Sequence, residues 1–235
     1  MFDERLKTFE MFSLSHGLAV GFLLLLYVLL IVFRKALAAR PRLCRVLEVS
    51  AAVFLLGMQL GFYLWTFSLG EQSWELLPFG VCHLSIYFTA FALLFRSEKL
   101  FRFIYFWALI GAVLSLTVAE LAYDFPHFRF FHYFGSHGVF LLAILYFIVV
   151  KRWKVSYRDL WISGGILFAM SLVMWLVVNP LLGTNHLFMA ELPVPIQPLF
   201  YWMGYPGWVF GFMLGMVPFF HIAWGFQLLL RRLTK

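Results

Sequence analysis

The feature that most constrains this chain is a succession of seven apolar runs, each near the length a helix needs to cross a bilayer, at about 14–33, 47–68, 77–95, 102–122, 132–150, 160–178 and 207–229. A backbone in lipid finds no water, so it must satisfy its own hydrogen bonds as helices or as a closed barrel. A barrel strand alternates apolar and polar residues over about ten positions, and these unbroken Leu- and Phe-rich runs do not. With 63% hydrophobic and only 12% charged residues, the chain has too little polar surface for a soluble domain. The expected fold is an all-α, seven-transmembrane-helix bundle forming one domain over residues 1–235. The acidic start, MFDERLKTFEMF, does not read as a signal peptide, so the first span is expected to be retained.

Charge distribution orients the bundle. Fifteen of the 18 Lys and Arg fall in the first, third and fifth connections and the tail, whereas Arg5, Lys7 and Arg129 lie on the other side. By the positive-inside rule the N-terminus is expected outside and the C-terminus in the cytoplasm. Eight of the 11 acidic residues run the opposite way. The net charge of +7 is therefore a headgroup-facing collar, and no basic face is left over for nucleic acid. Cys44 and Cys82 fall at opposite membrane faces, out of disulfide range. Glycines at 57 and 61 and at 207, 211 and 215 recur at helical spacing and suit close helix packing.

The polar chemistry gathers on the outer half, which receives His16, His83, His127, His132, His137 and His186, with only His221 deep in a span. Ionisable groups within spans are costly and mark functional candidates. Pro78 suits the first turn of the third span. On these boundaries Cys82 lies about four residues into that span, His137 about five into the fifth, and Glu120 about two before the outer end of the fourth. The three are expected in one layer, with the proline-rich segment 179–206 lying over it as a lid or re-entrant turn. A histidine can take a thiol proton, and a carboxylate or amide can orient that histidine. Cys82, His137, and Glu120 or Asn185 supply those groups, with hydroxyls of Ser85, Thr89, Ser115, Thr117 or Ser136 as competing nucleophiles. Each also has an ordinary reading: a lone cysteine is a small packing residue, a histidine near a helix start an interfacial one. His132 and His137 diverge by about 140° on a helix, and no metal-ligand spacing appears, so neither metal nor cofactor is expected.

At these residues the chain resembles the YwaF-like integral membrane proteins, related to transmembrane protein 164. Leu77-Pro78-x-x-x-Cys82 is similar to the family's L-P-L-x-x-C. Leu116 to Leu121 followed by Phe125-Pro126 resembles L-T-P-D-L…F-P, with Ala119 and Glu120 in place of proline and aspartate. Phe131 to Gly138, FHYFGSHG, resembles F-x-x-F-x-x-H-G and aligns His137 with the family histidine. Gly183 to Phe188 with Pro193 resembles N-Y-M-Y-L…P and aligns Asn185 with the family asparagine, while His186 replaces a tyrosine. Gly80 stands where many members carry a polar residue. The resemblance implies a seven-helix membrane enzyme, with relatives that look like phospholipid acyltransferases using the cysteine.

The resulting expectation is a lipid acyltransferase or acyl hydrolase of a bacterial cytoplasmic membrane. Cys82 would be the nucleophile, His137 the base, and Asn185 and Glu120 the orienting or oxyanion-binding groups. His83, His186, His132 and Gln59 are the expected substrate-binding residues, with membrane phospholipids as the partner. Two rival readings are a non-enzymatic lipid or small-molecule binder or transporter with a polar outer cavity, and a structural subunit.

Overall fold

The computed structural model describes residues 8–70, 73–119 and 121–234 and, among them, contains seven helices long and apolar enough to cross a membrane. These are Leu14–Ala38, Pro41–Ser68, Trp74–Phe95 (whose α-helix proper is Val81–Phe95), Glu98–Thr117, Phe128–Val149, Tyr157–Leu182 (whose first α-helical part is Tyr157–Val173) and Gly207–Leu233. The sixth runs on through a π turn, Met174–Val178, and a last helical turn, Asn179–Leu182.

Several helices outrun their apolar segments. The first continues past Arg34 and Lys35, because cations in a last turn complement the helix dipole and their long stems can reach headgroups. The second begins at Pro41, whose missing N–H costs nothing at the first position. The basic connection therefore shrinks to Ala39–Arg40, with the Cys44 thiol donating to the Leu37 carbonyl at 3.1 Å across it. The fourth starts early because Ser97 caps it, accepting from the Leu100 N–H at 3.3 Å, and it closes at Thr117.

The fifth helix is the axis of the bundle, with 78% of its apolar stretch buried against 17% for the first helix. It packs against the first four helices and the last. Gly138 gives the first helix its closest approach: a Cβ there would overlap the Leu23 side chain, and Tyr27 donates to the Gly138 carbonyl at 3.2 Å. The outward faces carry Phe22, Leu25, Val28, Val53, Leu60 and Leu64, each more than half exposed, as a lipid-facing surface requires.

At the basic end one buried acid ties the helices together. The Glu48 carboxylate, 1% exposed, accepts from the Lys151 ammonium at 2.6 Å, the Tyr146 hydroxyl at 2.6 Å and Arg96 Nε at 2.7 Å. Arg45, one turn earlier, donates to the Leu93 and Leu94 carbonyls that end the third helix. The second helix, the end of the third and the exit of the fifth thus meet on one carboxylate. At the other end, the 197–203 segment lies in a trough of the last helix. Gly211 and Gly215 face Met203 and Phe200, so this glycine stripe seats loop side chains where helix-to-helix packing was expected. Gly57 has open space before it.

Candidate active site

The third helix begins later than the sequence suggests. Gly80 is its N-cap and Val81 its first residue, so Pro78 precedes the helix and Cys82 is its second residue, not a full turn in. The cause is local. The Phe79 N–H bonds back to the Leu77 carbonyl at 2.8 Å, and a Cβ on Gly80 would stand only 3.0 Å from His83 Nδ1. No side chain caps this start, which leaves its first-turn amides available to an oxyanion.

The Cys82 thiol points at the fourth helix. Its Sγ lies 3.8 Å from the Ser115 hydroxyl, and Gly111, one turn away, leaves the room. The Ser115 carbonyl accepts from the Tyr133 hydroxyl at 2.9 Å, which links this helix to the fifth. The Tyr133 carbonyl in turn lies 2.8 Å from His137 Nδ1. A carbonyl can only accept, so Nδ1 carries the hydrogen and Nε2 presents a bare lone pair. That Nε2 is buried with no hydrogen-bond partner among the described residues. In its neutral form His137 thus holds its basic nitrogen, Nε2, without a partner among the described residues.

Because the fifth helix starts at Phe128, His137 lies a full turn deeper than the five positions anticipated. Its Nε2 makes no hydrogen bond to Cys82, and the two connect through Ser115 and Tyr133. Glu120 lies outside the described residues. Asn185 is occupied within its own loop, its amide oxygen accepting from the Ala190 and Glu191 N–H groups at 3.0 Å and its NH2 donating to the Glu191 carbonyl at 2.8 Å. The structure therefore does not bring its side chain to the thiol.

The expected substrate-binding residues divide into three groups. His83 and His132 flank the Phe62 ring, at 6.0 and 5.0 Å between centroids, and Arg129 covers the same ring at 4.5 Å. His83, His132, His137 and Arg129 lie within electrostatic range of one another. His186 packs edge-on to Phe79 and hydrogen-bonds the Trp74 carbonyl at 3.1 Å, which fastens the lid to the approach of the third helix. Gln59 lies one turn along the second helix from Phe62 and is 1% exposed, with neither end of its amide partnered among the described residues. Ser85, Thr89 and Ser136 are likewise buried with unpartnered hydroxyls.

Asn179, which lies in the last helical turn of the sixth helix and not in the expected lid, holds the segment that follows it. Its Oδ1 accepts from His186 N–H and the Thr184 hydroxyl, both at 2.9 Å, and its NH2 donates to the His186 carbonyl at 3.1 Å. Leu187, Met189 and Leu192 form with Met174, Trp208, Val209 and Met213 a second apolar cluster that also takes in Phe79 and Val81. A cleft of about 570 Å³ is lined by Tyr63, Phe67, Ser73, Trp74, Leu76, Leu77 and Pro78. His16 is spent structurally, with Nε2 on the Leu116 carbonyl at 2.9 Å and Nδ1 accepting from Phe12 N–H.

A family model described as the TMEM164 family matches residues 11–224. The chain belongs to the TMEM164 family. No curated protein and no solved structure matches it. The expected relation to transmembrane protein 164 is thus borne out across nearly the whole chain.

Sequence reasoning overlooked Arg129, Tyr133, Asn179 and the role of Glu48. One signal was present: Arg129 is the only Lys or Arg beyond residue 7 on the sparsely charged side.

Proposed function

We propose that this membrane protein is a cysteine-dependent lipid acyltransferase or acyl hydrolase, with its basic end cytoplasmic and its site opening toward the outer leaflet. The observation that carries the reading is the pairing of a thiol at an uncapped helix start with a buried imidazole whose Nε2 lone pair is free, joined through Ser115 and Tyr133. In the first half-reaction His137 Nε2 takes the Cys82 proton as Sγ attacks an ester carbonyl. The carbonyl oxygen gains negative charge, which the amides at the start of the third helix are suited to receive. The ester C–O bond then breaks, and the leaving alcohol takes its proton from His137. In the second half an acceptor hydroxyl or water gives its proton to His137 and attacks the thioester, releasing the acylated product and the thiol. Catalytic hydrogen bonds often tighten only with substrate bound, which accords with the separated thiol and imidazole of the free protein. The cleft beside Ser73–Pro78 is apolar enough to take an acyl chain.

The test is intact-mass analysis of the purified chain after incubation with a diacyl phospholipid. One acyl group should add to Cys82 and leave on hydroxylamine treatment, and His137→Gln should slow its formation by about 10²- to 10⁴-fold. Full transfer activity in Cys82→Ala would sink the thioester route. A second reading, a lipid binder or transporter, draws on Gln59, Ser85, Thr89 and Ser136, whose unpartnered polar atoms extend beyond the thiol. Under it, Cys82 should react with a maleimide no faster than an ordinary buried thiol, with or without His137.

A further inference from the structure

The cations at the basic end fall into two sets. Lys151, Arg96 and Arg45 gather at Glu48. Glu98 pairs with Arg102 at 2.8 Å, and Asp159 is taken up in capping the sixth helix at Ser156. Those are the three acidic residues on this side of the molecule. On the other flank Arg34, Lys35 and Arg152 line a pocket of about 220 Å³ with Thr234, backed by Val149 and Val150. Among the described residues no carboxylate pairs with any of these three cations. What Arg34 and Arg152 share instead is one neutral oxygen. Arg34 Nε donates to the Thr234 carbonyl at 3.1 Å, and Arg152 Nη1 donates to the same carbonyl at 3.2 Å and to the Thr234 hydroxyl at 3.1 Å. The two nitrogens are thus no further apart than the two carbonyl bonds laid end to end. The ordinary reading is a C-cap, in which arginines cover the last carbonyl of the helix Gly207–Leu233. The charge does not balance on that reading alone. A helix C-terminus carries about −0.5 of a unit charge, against three cations here and Arg231 and Arg232 in the same last turn. Each guanidinium also has five N–H donors. Arg34 spends two, on Thr234 and on the Ile31 carbonyl at 2.8 Å, and Arg152 spends only those of Nη1. Nη2 of Arg34 and both Nε and Nη2 of Arg152 are left without a partner among the described residues, on half-buried side chains that line one pocket.

We propose that Arg34, Arg152 and Lys35 form a phosphate-binding site, filled by the phosphodiester of an anionic phospholipid in the leaflet at the basic end. Planar guanidiniums suit phosphate oxygens, and three cations without a carboxylate favour a headgroup of net negative charge over a zwitterionic one. Placement favours a lipid. The first helix packs chiefly on the fifth and the second, and Val32 and Phe33, beside Arg34, are each more than half exposed on its lipid-facing side. A lipid whose phosphate sits on Arg34 can therefore lay its acyl chains along the same helix. The bound headgroup would tie the first helix to the end of the last and to the exit of the fifth. The pocket lies at the end of the molecule remote from Cys82, so its filling does not depend on acyl transfer.

The experiment is phenylglyoxal modification of the wild-type chain in a neutral detergent, with each arginine read by peptide mass spectrometry. Phosphatidylglycerol should slow modification of Arg34 and Arg152 at least tenfold and leave the exposed Arg42 reacting as before. Zwitterionic phosphatidylcholine at equal concentration should protect neither. Inorganic phosphate forms a separate arm: protection by the lipid alone assigns the site to the headgroup, and equal protection by inorganic phosphate assigns it to the free anion. Arg34 and Arg152 reacting equally fast with phosphatidylglycerol, inorganic phosphate and neither would overturn the proposal. Native mass spectrometry adds a second readout. The preference for phosphatidylglycerol over phosphatidylcholine should fall about fivefold in Arg34→Gln and again in the double variant with Arg152→Gln. The double variant Arg42→Gln with Lys154→Gln removes two exposed charges from the same end outside the pocket and should keep most of the preference. An equal fall in the two double variants would reduce the site to a diffuse basic surface and overturn it.

Discussion

Replacing Glu48 by glutamine changes almost no volume and removes one charge from the point where three helices meet. The Tyr146 hydroxyl keeps an acceptor in the amide oxygen, so its bond at 2.6 Å survives in kind. What is lost is the ion pair to Lys151, now 2.6 Å long, and an amide N–H is turned toward a cation. Breaking a buried pair from one side costs about 3–5 kcal/mol, because the other charge is stranded. Lys151 is 23% exposed and can recruit water, so the lower part of that range is reduced to about 2–3 kcal/mol. Arg96 is open to solvent and enters the sum at nothing. The assay is reversible unfolding of the detergent-solubilised chain in increasing SDS, followed by tryptophan fluorescence, for wild type, Glu48→Gln, Lys151→Met and the double variant. The double variant should be more stable than Glu48→Gln alone, since it removes the stranded cation as well. A Glu48→Gln variant within about 0.5 kcal/mol of wild type, or a strictly additive cycle, would refute the reasoning that this carboxylate pins the basic end.

Gly138→Ala should destabilise by about 1–3 kcal/mol in the same assay, because its Cβ overlaps Leu23 of the first helix. Gly57→Ala, with open space before it, is the control and should stay within about 0.5 kcal/mol. Asn179→Ala removes three hydrogen bonds that hold residues 184–186. Limited proteolysis should then cut within 183–206 several-fold faster, and an unchanged cleavage rate would show that the apolar cluster alone holds the lid. Asn185→Ala should lower acyl-adduct formation on Cys82 far less than His137→Gln, since its amide is engaged by Ala190 and Glu191. Equal losses would return Asn185 to the reacting layer.

The amino-acid sequence by itself determined the seven apolar helices, the basic collar at one end and the concentration of cysteine and histidine chemistry at the other. Those follow from hydropathy, charge and span counting, which need no knowledge of how helices turn. It also carried the resemblance to the transmembrane protein 164 family, whose model matches residues 11–224. Helix ends were less legible. Hydropathy stops where charge begins, whereas helical hydrogen bonding continues through Arg34 and Lys35 and begins again at Pro41. Only the tertiary structure decided rotation and partnership. It turned the Cys82 thiol to Ser115 on the fourth helix and joined that helix to the fifth through Tyr133. It also spent Asn185 on its own loop and made Asn179 the clamp. The bonds of Glu48 to Lys151 and Tyr146 join residues about 100 positions apart, and the Arg129–Phe62 contact bridges two helices. Such pairings depend on which face each helix presents, and in a chain apolar on nearly every face no sequence period encodes that choice.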